Sequence, residues 1–289
     1  MDHPIPKPIY TTVPVKGLKG DFKILHFTDL HACALGEEEK SAMPDYRRDY
    51  IPPRIGLFGG GRPYPSQAAL PVLIDYGKEL NADLILMTGD ILDFPSEANL
   101  GLLESCLKSA QVPVLSITGN HDWSFADDYH TENAEKLYLT RVDALSGATH
   151  HCVCYEDDRI LVCAVDSGLD IIRPETLEAY LTAARRAKAQ GKVLVVALHV
   201  PLHTDGLLED TVKVWRRNLN IGEGGMGQDH AASMTFWRTV AVEKELAPDL
   251  VIAGHLHFDH EDLLPNGVTQ LVTDIACDGH CRVITLKGE

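Results

Sequence analysis

The chain has 289 residues, 45% of them hydrophobic and 24% charged, which suits one large α/β domain or two small ones and does not suit a disordered chain. Its 26 Lys and Arg against 42 Asp and Glu leave a net charge of −16 with His neutral. That balance argues against a polynucleotide binder and against a polybasic hold on a membrane, both of which need clustered cations. Fourteen histidines in so acidic a chain are, by contrast, an ample supply of metal ligands.

Residues 1–20 hold Pro4, Pro6, Pro8 and Pro14 and no apolar run of signal-peptide length, so 1–21 are expected as an N-terminal extension of a single domain over 22–289. The run 22–28 is β-prone and ends at Asp29. Apolar residues at helical spacing over 68–80 precede a buried strand at 83–88, and a second helix at 100–110 precedes a third strand at 112–117. This β-α-β-α-β opening implies parallel strands with right-handed crossovers. Residues 160–165, 193–198 and 250–253 continue the short apolar strands, with helices expected at 175–188 and 231–246. Strands at 268–273 and 281–286 have no helix between them and predict an antiparallel closing pair. No uncharged stretch approaches the roughly 18 residues of a membrane span. The seven cysteines are odd in number and mostly inside apolar runs, which favours reduced thiols and a cytoplasmic protein over a secreted disulfide framework. Cys152-x-Cys154 alternates with apolar neighbours as strand residues do; strong thiolate sites use CxxC-type spacing twice over.

Two segments, 33–67 and 203–229, are too long and irregular to be mere connections and are expected to fold over the functional edge as a cap. The first carries Arg47, Arg48, Arg54, Arg62 and Tyr64; the second carries Trp215, Arg216, Arg217 and a Gly-rich stretch from Gly222 to Gly227. The arginines offer bidentate contacts to phosphate oxygens and Tyr64 or Trp215 a ring to stack on a base; the alternative is pairing with acids such as Asp45 and Asp49.

The chemistry-bearing residues fall just after the apolar runs. Asp29 and His31 follow the first strand, Gly89-Asp90 and Asp93 the second, and Gly119-Asn120-His121-Asp122 the third. His199 ends the run from Val193, and Gly254-His255-Leu256-His257 follows the strand at 250–253. Ligands of open α/β sheets bind outside the carboxyl ends of strands, so five segments deliver Asp, His and Asn to one edge. Any one of these motifs reads more readily as a surface turn or helix cap; the ordered set does not.

That set, Asp29-x-His31, Gly89-Asp90-x-x-Asp93, Gly119-Asn120-His121-Asp122, His199 and Gly254-His255-x-His257, resembles the calcineurin-like metallophosphoesterases over roughly residues 22–286. The resemblance implies a four-layer α/β/β/α sandwich, two mixed sheets flanked by helices, holding two metal ions. By position the first ion is expected on Asp29, His31, Asp90 and His257, and the second on Asp90, Asn120, His199 and His255, with Asp90 bridging. Ligands of these types suit Mn, Fe, Zn or Co better than Ca or Mg. A carboxylate can hold two dications close together, and a pair of ions lowers the pKa of a bridging water toward hydroxide. His121 is the expected proton donor to the leaving group, with Asp93 orienting its ring. Asp122 reads equally as an acid opening a turn.

Asp93 is followed by Phe94-Pro95 and His121 by Asp122, so the arginine of the protein Ser/Thr phosphatase branch is missing, and the chain looks more like the bacterial phosphodiesterase branch. The expected activity is hydrolysis of small phosphate diesters, nucleotides and cyclic nucleotides among them. A phosphomonoesterase or pyrophosphohydrolase on the same metals is the alternative, and a silent binding scaffold a remote one. His130, His150, His151, His230, His260 and His280 are expected as surface or strand residues, His230 and His260 lying closest to the site segments.

Overall fold

Among the described residues eleven strands make two sheets that pack face to face over a shared apolar interior. The computed structural model describes residues 4–43, 45–59, 64–125, 128–147 and 151–289. The strands are β1 (Lys7–Val15), β2 (Phe22–Phe27), β3 (Leu84–Met87), β4 (Val114–Ser116), β5 (Cys152–Glu156), β6 (Ile160–Val165), β7 (Val193–Leu198), β8 (Leu250–Ala253), β9 (His260–Leu263), β10 (Thr269–Val272) and β11 (His280–Gly288). Helices are α1 (Glu37–Ala42), α2 (Asp45–Gly59), α3 (Ala69–Glu79), α4 (Glu97–Ser109), α5 (Glu132–Ala134), α6 (Thr140–Ser146), α7 (Pro174–Gln190), α8 (Asp205–Trp215) and α9 (Ala231–Trp237). One sheet has the order β1-β11-β2-β3-β4 and the other β5-β6-β7-β8-β10-β9. β2, β3 and β4 run parallel, as do β6, β7, β8 and β10.

Each sheet is covered on both faces, which is why β3, β6, β7 and β8 read as unbroken apolar runs rather than alternating ones. Phe22, Ile24, Leu84 and Leu86 of the first sheet meet Val162, Val195 and Ile252 of the second. On the outer faces, Leu70, Leu73, Leu100 and Leu103 of α3 and α4 cover the first sheet, and Tyr180, Ala184 and Phe236 of α7 and α9 cover the second. The result is the four-layer α/β/β/α sandwich. Among the described residues no helix is long and apolar enough to cross a membrane.

Four expectations change. The strands read as a closing pair, 268–273 and 281–286, belong to different sheets. β10 lies between β8 and β9, whereas β11 inserts between β1 and β2, antiparallel to β2. Both are largely buried on both faces, and nothing in such a strand says which neighbour it will take. The segment ahead of residue 22 contributes β1, which pairs in parallel with β11 from Lys7 to Val15 at the sheet edge, where prolines are tolerated. The two irregular segments contain helices: α1 and α2 in the first, and α8 in the second. Thr204 caps α8 by accepting from Leu207 N at 3.0 Å, and Leu207 and Thr211 form its buried stripe. The helix expected to reach residue 246 ends instead in a wide turn over Arg238–Val242.

Candidate dinuclear metal centre

The strand ends converge because the loops leaving β2 and β3 are bonded to one another along the main chain. Asp29 N donates to Gly89 O (3.0 Å), His31 N to Asp90 O (2.8 Å), and Ala32 N to Ile91 O (2.9 Å). The turns are sharp enough that Asp29, His31, Asp90, His255 and His257 all take left-handed backbone, φ between 49° and 71°. Non-glycine residues there cost about 1–2 kcal/mol each, and such strain collects where side chains must be aimed. Gly119 and Gly254 allow the close approach: a Cβ on Gly119 would lie 2.3 Å from Asp90 Oδ1, and one on Gly254 2.1 Å from Thr28 Oγ1.

Two adjacent clusters of acceptors result. In the first, His257 Nε2 lies 3.2 Å from both Asp29 Oδ1 and His31 Nε2. His31 Nδ1 donates to Asp93 Oδ1 at 2.8 Å, so its Nε2 presents a lone pair to the cluster. In the second, His199 Nε2 lies 3.1 Å from Asn120 Oδ1, 3.1 Å from His255 Nδ1 and 3.4 Å from Asp90 Oδ2. His199 Nδ1 donates to Thr88 O at 2.7 Å, which likewise turns the Nε2 lone pair inward. Asn120 Nδ2 donates to Tyr129 Oη at 3.0 Å, and this aims Oδ1 at His199. Asp90 Oδ2, also 3.8 Å from His31 Nε2, stands between the clusters, while Asp90 Oδ1 accepts from His121 N at 2.8 Å.

Lone pairs facing lone pairs in a buried space need a cation among them. Asp29 Oδ1 and His255 Nε2 are buried with no hydrogen-bond partner among the described residues, although Asp29 Oδ2 accepts from Thr28 Oγ1 and His255 N. The demand for positive charge shows in the titration: burial opposes protonation of His199, yet Asp90 and Asp29 raise its pKa to about 10, so a proton competes with a cation for its Nε2. Burial and then the charge on His199 push His255 down to about 3. Asp90 is held well below the carboxylate range by His199 and His121 despite its burial. The donor set of imidazole, carboxylate and amide oxygen fits two divalent ions, with Asp90 able to serve both.

The supporting residues depart from expectation at one point. The Asp93 carboxylate bonds His31 and is gripped by Arg54, whose Nε donates to Oδ2 at 2.8 Å and whose Nη2 donates to Oδ1. His121 Nδ1 lies 3.4 Å from the Asp93 main-chain carbonyl and 3.6 Å from Asp93 Oδ1, so the carboxylate holds His31 and Arg54 more closely than it holds His121. Burial lowers the pKa of His121, with Asp90 opposing. Asp122 is structural: its carboxylate accepts from Asp90 N (2.8 Å), Leu92 N (2.8 Å) and Gly119 N (2.7 Å).

A cleft of about 530 Å³ opens over the clusters. Beyond His31, Asp90, Asn120, His121, His255 and His257, it is lined by Arg54, Leu57 and Phe58 of α2, by Trp215, Arg217 and Leu219, and by Ile275. Phe58 stacks on the His31 ring with centroids 4.2 Å apart, and Trp215 meets His257 edge-on at 5.5 Å while donating Nε1–H to Leu256 O. Of the residues expected to contact substrate, Arg54, Trp215 and Arg217 therefore reach the cleft. Arg47 lies over the Phe125 ring, Tyr64 donates to Asp278 O, and Arg216 ends α8 with φ 62°. Arg62, His150 and the side chains of Arg48 and Asp45 lie outside the described residues.

Tyr129 and His130 were missed by the sequence reading. Tyr129 orients Asn120, and His130, expected at the surface, bonds Asn120 O at 3.1 Å and stacks between Trp123 and Tyr129. They follow Asn120 by nine and ten residues, and no motif links them to it. Of the other histidines, His260 pairs with Asp210 and Asp262, and His280 with Asp274.

A two-sheet sandwich with a His/Asp/Asn cleft across its strand ends is the architecture of a two-metal hydrolase. The family model of the calcineurin-like phosphoesterases matches residues 22–259, and the chain belongs to that family. Among solved structures it is similar to a dimetal phosphatase from Danio rerio, with a TM-score of 0.54, 13% identity and 92% of each chain covered. A comparison with curated protein sequences returned no match.

Proposed function

We propose that this phosphoesterase hydrolyses small phosphate diesters, with Asp29, His31, Asp90 and His257 holding one metal ion and Asp90, Asn120, His199 and His255 the other. The observation that carries the diester reading is the lining of the cleft. Arg54 is committed to Asp93, leaving Arg217 as a cleft cation with no salt bridge among the described residues, against a wall of Leu57, Phe58, Trp215, Leu219 and Ile275. One cation and an apolar wall suit a singly charged diester with an organic arm better than a monoester dianion. In this reading parts of both insertions serve as a cap, α2 supplying Leu57 and Phe58 to the wall and residues 215–219 supplying Trp215 and Leu219.

When bound, the two ions supply Lewis acidity and a water acidified enough to attack phosphorus near neutral pH. The chain does the rest. Asp93 and Thr88 O fix the tautomers of His31 and His199, so both present Nε2. Arg217 orients the phosphate, and Leu57 and Phe58 exclude bulk water from the clusters. His121, held at Nδ1 by Asp93 O, acts in its imidazolium form, passing the Nε2 proton to the departing alkoxide and regaining one from solvent. Manganese is the first metal to test, with Fe, Zn and Co as alternatives on the same donors.

The test is turnover of bis(p-nitrophenyl) phosphate, cyclic nucleotides and p-nitrophenyl phosphate by the Mn²⁺-loaded chain, with Asp90→Asn as the inactive control. Diester hydrolysis exceeding monoester hydrolysis is expected. Turnover of monoesters or pyrophosphates alone would overturn the diester reading, and no turnover by a chain that binds metal would favour a silent scaffold.

A further inference from the structure

A cluster of soft ligands lies outside the metal edge and has no part in the chemistry above. β5 runs antiparallel to β6 with Cys154 opposite Cys163, and Cys152, two residues along, shares the sheet face of Cys154. The three Sγ atoms lie within 4.8 Å of one another. Cys163 is wholly buried and held between β5 and β7, whereas Cys152 and Cys154 are half-buried on the edge strand. A cleft of about 480 Å³ between β5 and α7 reaches these two, and Glu175, Glu178 and Arg186 share its lining. Cysteines placed only to fill a core would not open onto a cleft rimmed by charged side chains.

We propose that Cys152, Cys154 and Cys163 form a binding site for a single thiophilic d¹⁰ cation, Cu(I) above all. Metal–thiolate bonds of about 2.3 Å put three ligating sulfurs roughly 4 Å apart, a spacing these side chains reach by small χ1 adjustments. Three sulfurs with no nitrogen or oxygen donor among them select a soft ion, the opposite preference from the His/Asp/Asn clusters. The two sites share no ligand, so each metal is sorted by donor type. Binding releases the thiol protons to solvent and leaves a net negative complex, beside which lies Arg186, itself paired with Glu156 at 3.0 Å. Its entry path is the α7 cleft, and Cys163, fixed between paired strands, is the anchoring ligand.

The test uses the full chain, reduced and loaded with Mn²⁺, titrated anaerobically with Cu(I) buffered by bicinchoninate. One Cu(I) per chain should leave the chelator, with X-ray absorption reporting sulfur neighbours alone. Cys152→Ser and Cys154→Ser, which alter half-exposed positions and should leave phosphoester turnover unchanged, are expected to weaken that uptake by at least about 100-fold. Asp90→Asn should bind Cu(I) as the parent does. No uptake by the parent, uptake that survives both serine substitutions, or nitrogen and oxygen neighbours in the absorption spectrum would each overturn the proposal.

Discussion

Replacing Asp122 by Ala tests whether the ligand loops are held by a single buried carboxylate. Asp122 is 2% exposed and accepts three main-chain N–H groups, from Asp90, Leu92 and Gly119. Bonds to a charged acceptor are worth about 1.5–3 kcal/mol each, so three set a ceiling near 9. Burial and the neighbouring Asp90 charge push Asp122 up to about 6, so removing it also relieves an unfavourable buried charge. The expected net loss is therefore about 2–5 kcal/mol. Asp122→Asn keeps one oxygen for Asp90 N and Gly119 N but turns an NH₂ toward Leu92 N, for a loss of about 1–3 kcal/mol. Urea denaturation of the metal-free chain measures both. Because Asp90 N is one of the anchored groups, Mn²⁺ affinity measured by calorimetry should fall in parallel with stability. An Ala variant within about 0.5 kcal/mol of the parent, binding Mn²⁺ equally well, would refute the assignment of Asp122 as the clamp.

Three further outcomes are expected. Gly254→Ala brings a Cβ to 2.1 Å from Thr28 Oγ1 and 2.7 Å from Asp29 Oδ2, and overpacking of that kind costs about 1–3 kcal/mol; thermal unfolding should register it, and metal analysis should show the Asp29 cluster depleted. Arg54→Met leaves Asp93 without its second donor and loosens His31, so Mn²⁺ should bind about 10–100-fold more weakly by equilibrium dialysis, while unchanged affinity would mean that Asp93 needs no such support. Asp166 is buried, and burial raises its carboxyl to about 6. The native state thus keeps a proton that the unfolded chain has already released, stability falls as pH rises between about 4 and 6, and the full penalty, up to about 3 kcal/mol, applies above 6. Asp166→Asn should be more stable than the parent at pH 7, with an advantage that shrinks below pH 6 and vanishes near 4; a difference independent of pH would contradict the cause given.

The residues of the two clusters could be read from the chain because each is set by local order: an apolar strand, a tight turn, then Asp, His or Asn. Asp29, His31, Asp90, Asn120, His199, His255 and His257 all obey that order, and the structure gathers them into two adjacent clusters. Residues that act at a distance in sequence carried no such mark. Arg54 was grouped with five other arginines as a possible phosphate contact, and only packing of α2 against the loop after β3 shows it spent on Asp93. Tyr129 and His130 follow their partner Asn120 too loosely to form a motif.

The amino-acid sequence by itself determined the strands that carry the site and the side chains at their ends, since apolar periodicity and turn residues are properties of neighbours in the chain; the class of sandwich followed from the family resemblance of that motif set. Only the tertiary structure decided which strand pairs with which, that β11 joins the first sheet and β10 the second. It alone turned the Asp93 carboxylate to His31 and brought Cys163 beside Cys152 and Cys154. Those outcomes depend on shape complementarity and competition for hydrogen-bond donors across the fold, where many partners are chemically equivalent until the whole chain has packed.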